Sequence, residues 1–346
     1  MPPESPSSRK SVIFFVDDWW ACAWYRANVP GAALKHLGYD VVVDAQIKPE
    51  DYDRFDVFVF QKKRDHRSLA GIQHAKDCGK YTVYELDDDI WSLSRTNPGY
   101  DVWAEPGAAY YAAQCIRSVD LVTTTTPLLA EKLRKFNPNV KVLPNVLPAE
   151  GWDFPAPVLR DADRIVLGWA GSSSHVEDLS ILADVVPQIL NRYPHVEFAY
   201  AGGPVAGPFA SDSRMRRLPV TDIQHYPTVI ENFDIGLIPL ADSAFNRAKS
   251  DLKFVEYSML GIPSVASKLD PYLNSIRHGE NGFLATNAKD WIKFVSRLIE
   301  SPELRLEMGE RAQEFARART IDRSIDKWIG AYGLDTQPIQ VGAQGE

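Results

Sequence analysis

Two lysines beside a predicted helix start form the first group that could do chemistry. Lys249 lies just before the helix predicted over residues 251–260, and Lys253 lies in its first turn. A lysine in the first turn opposes the helix dipole, so this placement suits a bound anion such as a phosphate. Glu256 falls on the same face as Lys253 and could accept hydrogen bonds from hydroxyl groups. Charge spacing alone also fits a solvated helix face that carries a Lys–Glu pair.

A Gly-Ser loop between a predicted strand and a predicted helix is the second candidate. Gly171 and Ser172 follow the strand predicted over residues 165–170, and His175 stands where the next helix begins. Such a loop presents backbone N–H groups to a phosphate. His175 could contact that phosphate or a group beside it. The competing interpretation is a helix-capping loop with an exposed histidine.

Three adjacent carboxylates, Asp87, Asp88 and Asp89, follow the strand predicted over residues 81–86. Their mutual repulsion is unfavourable unless something offsets it. Substrate hydroxyls, a nearby Lys or Arg, or a divalent metal held through oxygen ligands could do so. We favour a catalytic or substrate-orienting role over a metal site. A solvated loop with a helix-capping aspartate is the simpler alternative.

The loop after the strand predicted over residues 12–16 is both charged and aromatic. It contains Asp17 and Asp18, then a tryptophan-rich stretch that ends in Tyr25 and Arg26. Aromatic faces stack on sugar rings, and an arginine pairs with phosphate or carboxylate. The loop is therefore a candidate binding surface, although its tryptophans could equally pack against the sheet.

The lysine pair lies at a predicted helix start and the other candidates follow predicted strands, within an alternation of short apolar runs and helical stretches. Runs typical of buried parallel strands occur at residues 12–16, 41–43, 57–60, 81–86, 121–124, 140–143, 165–170, 196–201, 234–240 and 263–267. Helices are predicted over residues 30–37, 68–77, 108–118, 127–136, 251–260 and from 287 to about 319. Ser174 and Glu177 match the capping-box spacing and predict one further helix. Ser250 is placed to cap the helix that ends at Gly261.

A proline-rich stretch over residues 148–157 divides the alternation into two halves and predicts a linker. Each half predicts a doubly wound α/β domain. Ligands of such sheets lie beyond the carboxyl ends of the strands, and a cleft between two domains favours a small-molecule site. We predict an N-terminal domain over residues 1–150, a C-terminal domain over 151–320, and a closing helix and tail over 320–346.

The composition limits the class of protein. A length of 346 residues suits about two domains, and 45% hydrophobic residues suit a globular chain. The net charge of −8 argues against a protein that coats nucleic acid by bulk charge. The basic clusters Lys62–Arg67 and Arg214–Arg217 leave a local nucleic-acid or membrane-surface contact open, with a solvated surface favoured. Three scattered cysteines, no signal-peptide pattern and no long apolar run predict a cytoplasmic protein with no transmembrane segment.

The segment Glu256-Tyr-Ser-Met-Leu-Gly261-Ile-Pro263-Ser-Val-Ala-Ser267 carries a resemblance. It resembles the nucleotide-sugar-binding signature of GT-B glycosyltransferases, specifically the large retaining group 1, or family 4-like, type. Further similar stretches occur in the family's order, and the match spans about residues 120–320. They are Pro144-Asn145, the Gly171 loop, Gly202-Gly203, the strand at 234–240 and Gly282-Phe-Leu. The sequence departs from the signature at Ala248, where the family has a first glutamate.

This resemblance implies two Rossmann-like domains that face a cleft, with the closing helix crossing back to the N-terminal domain. It implies transfer of a sugar from a nucleotide-diphosphate sugar to an acceptor hydroxyl, with retention and without an obligatory cofactor or metal. The residues that it assigns to the donor are Gly171, Ser172, Lys249, Lys253 and Glu256. The candidates for the acceptor are Asp17, Asp18, Tyr25 and Arg26. The catalytic candidates are Asp87, Asp88, Asp89 and His175.

Two alternatives stay open at this point. One is a nucleotide-sugar epimerase or hydrolase on the same fold. The other is a non-catalytic nucleotide-sugar binder, which Ala248 motivates. The acceptor could be a glycan, a lipid-linked intermediate, a small molecule or a modified nucleic acid.

Overall fold

In a computed structural model, which describes residues 10–17, 21–148, 150–158, 163–202 and 212–334, the chain divides into two units. Among the described residues, unit 1 comprises 10–87, 107–143 and 321–334. Unit 2 comprises residues 88–106 and the described part of 144–320. Both units are therefore built from segments that are separated in the chain.

Unit 1 contains one six-stranded parallel sheet with the strand order β2-β1-β3-β4-β5-β6. Elements are numbered along the chain. The strands are β1 (Val12–Phe15), β2 (Val41–Asp44), β3 (Val57–Gln61), β4 (Tyr81–Leu86), β5 (Leu121–Thr124) and β6 (Val140–Val142). The helices are α1 (Ala21–Ala23), a π-helical turn (Trp24–Asn28), α2 (Val29–His36), α3 (Asp51–Arg54), α4 (His66–Asp77), α6 (Ala108–Ser118), α7 (Pro127–Leu133) and α16 (Ile325–Tyr332).

Unit 2 contains a second six-stranded parallel sheet with the order β12-β11-β10-β7-β8-β9. Its strands are β7 (Ile165–Gly171), β8 (Val196–Gly202), β9 (Met215–Arg217), β10 (Ile235–Ile238), β11 (Ser264–Ser267) and β12 (Phe283–Ala285). Its helices are α5 (Tyr100–Ala104), α8 (Val176–Leu179), α9 (Val185–Arg192), α10 (Tyr226–Ile230), α11 (Ala244–Arg247), α12 (Leu252–Met259), α13 (Asp270–Leu273), α14 (Ala288–Glu300) and α15 (Pro302–Arg317). The predicted doubly wound α/β class is confirmed by these two sheets.

Apolar runs become the buried strands in both units. All residues of β1, β3, β5 and β10 are buried, as expected for strands inside a parallel sheet that is covered on both faces. In unit 2 the core continues from β7 into α9 and α14, whose buried faces contact each other. In unit 1, α16 contacts α2, and the rings of Phe14 and Tyr332 meet edge to face with centroids 6.0 Å apart. Among the described residues, no helix has both the length and the apolar character needed to cross a membrane.

Three local predictions differ from the structure. The helix predicted from Ser174 is broken into a 3₁₀ turn over Ser173–His175, α8, a second 3₁₀ turn over Ser180–Leu182, and α9. The capping box does not form, because His175 stands at the N-cap of α8 and the Ser174 hydroxyl pairs with that of Ser172 instead. The N-cap of α12 is Asp251 rather than Ser250.

The long helical stretch predicted from residue 287 is two helices, α14 and α15. Ser301 both ends α14 and caps α15, because its hydroxyl accepts the Leu304 N–H. Pro302 follows at the first position of α15, where its missing N–H is not needed. The break therefore has a local sequence signal.

Candidate functional site

In the sheet of unit 2, the order in which strands follow one another reverses between β7 and β10. Strands β8 and β9 add on one side of β7, whereas β10, β11 and β12 add on the other. Loops diverge at such a switch point and leave a crevice beyond the carboxyl ends of the strands. Gly171 ends β7 at this position, so the predicted Gly-Ser loop lies where this class of sheet binds ligands.

Helix α12 is tied to the end of β7 by two side chains that lie one turn apart. The Lys253 ammonium donates a hydrogen bond to the Ala170 carbonyl. The Ala170 N–H donates to the Tyr257 hydroxyl oxygen at 2.8 Å. A Cβ added to Gly171 would lie 3.2 Å from Lys253 Nζ and 3.3 Å from His175 Cδ2. Three of the predicted residues, Gly171, His175 and Lys253, therefore meet at one place.

Glycine is required where β7 and β8 end. Gly202 has a φ of +100°, and a Cβ at this position would lie only 1.6 Å from the Gly171 carbonyl oxygen. The backbone can pass this close only without a side chain. Gly203, which the sequence pattern paired with Gly202, lies outside the described residues.

His175 belongs to a hydrogen-bonded chain that sequence reasoning missed. Its Nδ1 lies 2.6 Å from Asp178 Oδ2. The other oxygen of Asp178, Oδ1, accepts from the Asn246 side-chain amide at 2.8 Å and from the Ala241 N–H at 2.7 Å. Asp178 is 2% exposed and Asn246 is 6% exposed. The three-residue spacing of His175 and Asp178 was visible in the sequence, but the partner from α11 was not.

Burial and charge set the protonation of this region. Burial, together with the nearby ammonium groups of Lys249 and Lys253, lowers the pKa of His175 to about 4, against the opposing effect of Asp178. Burial also lowers the pKa of Lys253, as does Lys249, while Glu256 and Asp178 oppose the shift. The imidazole is thus neutral at pH 7, and two lysines supply the positive charge.

Lys249 and Glu256 complete the set predicted for the donor. Lys249 Nζ lies 4.5 Å from the centroid of the Phe245 ring. Glu256 is buried in α12, three residues after Lys253. Ser172 lies in the loop that follows Gly171, where its hydroxyl is 2.6 Å from that of Ser174. The structure places all five predicted donor residues in unit 2, at the end of β7 and in the loop after it, or in and just before α12.

A small polar pocket adjoins the Asp178–Asn246 pair. The hydroxyls of Ser94 and Thr96, from the segment that precedes α5, donate to the Glu177 carboxylate beside it. Sequence reasoning assigned no role to Ser94, Thr96 or Asn246. They lie far from the Gly-Ser loop in the chain, and no local spacing links them to it.

In unit 1, strand ends bring Asp17 and Asp87 next to basic residues. Lys62 Nζ lies 2.8 Å from Asp87 Oδ1, and the guanidinium of Arg64 pairs with Asp17. Lys63 Nζ donates to the Val16 carbonyl at 2.8 Å. Lysine therefore offsets the charge of Asp87. Lys62 has a φ of +51°, a conformation that costs a non-glycine residue free energy and is concentrated at functional sites.

Asp88 and Asp89 follow in the segment that belongs to unit 2. Asp89 is 2% exposed, and its carbonyl accepts the Ser92 N–H. The three carboxylates therefore differ in burial and do not present one exposed acidic surface. Asp18 lies outside the described residues.

Tyr25 and Arg26 occupy the interior of unit 1. The Arg26 guanidinium donates to both Glu85 carboxylate oxygens, at 2.8 and 3.0 Å, and to the Leu143 carbonyl at 2.7 Å. Tyr25 is 2% exposed and Arg26 is 1% exposed. This corrects the expectation that these two side chains offer a surface to an acceptor. Arg26 does meet a carboxylate, but that carboxylate belongs to the protein.

The two basic clusters are largely matched by acidic neighbours. Besides the pairs of Lys62 and Arg64, Arg214 binds Asp212 at 2.8 Å and Arg216 lies 3.3 Å from Glu197. This pairing fits the favoured interpretation of an ordinary solvated surface.

Comparison with known proteins places these features in context. Residues 164–301 match the sequence family described as glycosyl transferases, group 1. A stretch of 82 residues is 32% identical to an uncharacterized glycosyltransferase of Haemophilus influenzae. That stretch covers 23% of this chain and only 23% of the relative's length.

Solved structures with little sequence identity share the fold over nearly the whole chain. Anabaena HepE in complex with UDP superposes with a TM-score of 0.65 at 16% identity, over 92% of this chain and 98% of that one. Sucrose-phosphate synthase from Thermosynechococcus elongatus gives a TM-score of 0.68 at 14% identity, over 94% and 98% of the two chains. The GT-B prediction is confirmed by these likenesses.

Proposed function

We propose that this chain, whose residues 164–301 match the group 1 glycosyl transferases and whose fold is GT-B, transfers a sugar from a nucleoside-diphosphate sugar to an acceptor hydroxyl. The observation that carries the proposal is the meeting of Lys253, Gly171 and His175 at the switch point of the second sheet. A half-buried ammonium group beside a glycine, which lets a ligand approach the backbone, suits a diphosphate.

The donor contacts follow from this placement. Lys253 and Lys249 bind the diphosphate, and the Gly171–Ser172 loop lets its oxygens approach the backbone. Glu256 accepts hydrogen bonds from the ribose. As the glycosidic bond breaks, negative charge grows on the leaving diphosphate, and the lysines stabilise it electrostatically. UDP is present in the complex of Anabaena HepE, which supports UDP as the first nucleotide to test.

The acceptor half of the proposal rests on unit 1. We assign acceptor binding to the N-terminal domain predicted over residues 1–150 and donor binding to the C-terminal domain predicted over residues 151–320, with a closing helix and tail over 320–346 returning to the first domain. Asp17 and Asp87 lie after the ends of β1 and β4, where they can orient an acceptor hydroxyl. Retention of configuration and the lack of an obligatory metal belong to the same proposal. A reducing, cytoplasmic setting is supported by the small number of cysteines, three scattered along the sequence.

Nucleotide binding by Lys253 variants tests the donor site. Lys253→Met keeps the length of the side chain and removes its charge, whereas Lys289→Met removes an exposed charge from α14 as the matched control. Calorimetry with UDP, GDP and ADP should identify the preferred nucleotide for the wild type. We expect Lys253→Met to weaken that affinity at least tenfold, because a charge-assisted contact is lost. Equal affinity in the two variants would refute the phosphate role.

A non-catalytic binder is the second candidate, and Ala248 supports it. This residue is 1% exposed and places a methyl group where the resembling family has a carboxylate. Release of nucleoside diphosphate from a bound sugar nucleotide, measured with and without an acceptor panel, separates the candidates. Acceptor-dependent release supports a transferase, and acceptor-independent release supports a hydrolase. Tight binding without release across the panel supports the binder.

A further inference from the structure

The chain Asn246–Asp178–His175 holds one edge of the imidazole and leaves the other edge at the donor loop. Asp178 uses one oxygen for His175 Nδ1 and the other for Asn246 and the Ala241 N–H. His175 Cδ2, which is bonded to Nε2, would lie 3.3 Å from a Cβ on Gly171. The Nε2 edge of the ring is thus turned towards the loop beside Lys253.

This arrangement determines which nitrogen carries the proton. An ionised carboxylate can only accept hydrogen bonds, so Nδ1 must be the donor to Asp178. A neutral imidazole has one N–H, and the pKa of about 4 keeps this ring neutral at pH 7. Nε2 therefore has a free lone pair and can accept a hydrogen bond but cannot donate one. A phosphate oxygen offers no proton to such an atom, whereas a hydroxyl group does.

Building on the proposed function, we propose that His175 Nε2 accepts a hydrogen bond from a hydroxyl of the donor's sugar, and that Asp178 and Asn246 are positioning residues that fix this tautomer. Lys253 and Lys249 would then hold the diphosphate while His175 recognises the sugar attached to it. The charged groups that face the imidazole support this division of roles. Two ammonium groups oppose its protonation, and the Asp178 carboxylate is already bonded to Nδ1.

Nitrogen NMR of histidine-labelled full-length protein tests the tautomer directly. The His175 signals are assigned by their loss in His175→Ala, since the chain has seven histidines. We expect a protonated Nδ1 and an unprotonated Nε2 at pH 7, both before and after saturation with UDP. A protonated Nε2 in either state, including an imidazolium that forms when UDP binds, would overturn the proposal.

Variants of the chain test sugar recognition. The measured ratio is the affinity for a sugar nucleotide divided by the affinity for its parent nucleotide. UDP is compared with UDP-glucose, UDP-galactose and UDP-N-acetylglucosamine, and GDP and ADP are compared with their equivalents. Asp178→Asn can turn its amide N–H₂ towards Nδ1, which moves the imidazole proton to Nε2. We expect the best ratio to fall roughly tenfold in Asp178→Asn and in His175→Ala, the loss typical of one hydrogen bond. Affinity for the parent nucleotide should change less than twofold.

Two further variants separate positioning from general damage. Asn246→Ala removes the second anchor of Asp178 and should lower the same ratio, whereas Asp184→Asn changes an exposed carboxylate and should leave it unaltered. His175→Gln carries an oxygen that can accept near the Nε2 position and should restore part of the ratio. If His175→Ala leaves the ratio unchanged, whether or not both affinities fall, the role of His175 is overturned. If no nucleotide binds the wild type, the proposed function fails, while the ligand-free NMR spectrum still decides the tautomer.

Discussion

At the scale of single residues, His175 and Arg26 meet their carboxylates in different surroundings. His175 keeps one edge at the loop of a candidate ligand site, and its partner Asp178 is anchored by α11. Arg26 is enclosed on all sides and is bonded to Glu85 and the Leu143 carbonyl. The sequence shows that His175 and Asp178 are three residues apart, but it gives no sign that Arg26 and Glu85 form a pair. Binding is the role proposed for the first pair, whereas the second pair lies in the core of unit 1.

His175 should make stability depend on pH. Its folded pKa of about 4 lies below the ordinary value of 6.5, so between these values the unfolded chain binds a proton that the folded chain does not. Stability therefore falls as the pH drops from 6.5 towards 4, by up to about 3 kcal/mol. The free energy of unfolding in urea, measured across this pH range, should depend less on pH in His175→Gln than in His195→Gln. The second variant changes an exposed histidine and is the control. Identical slopes would contradict the shift.

The Arg26–Glu85 pair should tolerate loss of both partners better than loss of one. Arg26→Met leaves a buried carboxylate without its cation, and we expect a cost of about 3–5 kcal/mol. Burial already raises the pKa of Glu85, against the opposing effect of Arg26. The double variant Arg26→Met/Glu85→Gln should recover part of this loss, measured as free energy of unfolding in urea. A single variant within 1 kcal/mol of the wild type would show that the pair is not sealed from water.

At the scale of elements, the observed strands agree with the predicted ones more closely than the observed helix starts do. The predicted strands match the observed ones to within one or two residues, because continuous apolar runs can be buried on both faces only inside a parallel sheet. The predicted helix from Ser174 breaks into four short pieces instead. In this segment the side chains of His175 and Asp178 bond to each other and do not cap a helix.

Two candidate caps should therefore differ in their contribution to stability. Asn287 caps the 13-residue helix α14, and its side chain accepts the Asp290 N–H at 3.1 Å. Asn287→Ala should cost about 1 kcal/mol, as typical N-cap losses do. Ser174→Ala should change the free energy of unfolding by less than about 0.5 kcal/mol, because its hydroxyl pairs with the exposed Ser172 hydroxyl and, among the described residues, caps no helix. A loss at Ser174 as large as that at Asn287 would restore the capping-box interpretation.

At the scale of the whole molecule, each unit is assembled from distant parts of the chain. Residues 88–106 join unit 2, whereas the helix after residue 320 joins unit 1. Trp328 and Tyr332 of that helix are each 1% exposed, and α16 contacts α2. The core of unit 1 thus depends on the last described helix.

Truncating one aromatic side chain of α16 tests this dependence. Trp328→Ala should destabilise unit 1 by about 3–5 kcal/mol, since it removes a fully buried indole. Hydrogen exchange should accelerate in β1 and β3 more than in β7 and β10. Lys327→Ala, on the exposed face of the same helix, serves as the control and should leave exchange unaltered. Uniform acceleration in both sheets would show that the two units do not unfold separately.

The sequence by itself determined the alternation of strands and helices, the doubly wound class and most donor-site candidates. These features depend on local pattern, namely apolar runs, glycines at strand ends and charges beside a helix start. Only the tertiary structure decided which distant groups meet. Lys253 reaches the Ala170 carbonyl across 83 residues, and Arg26 reaches Glu85 across 59. Such pairs depend on sheet order and burial, and a side chain's partner and protonation follow from those contacts rather than from its neighbours in the chain.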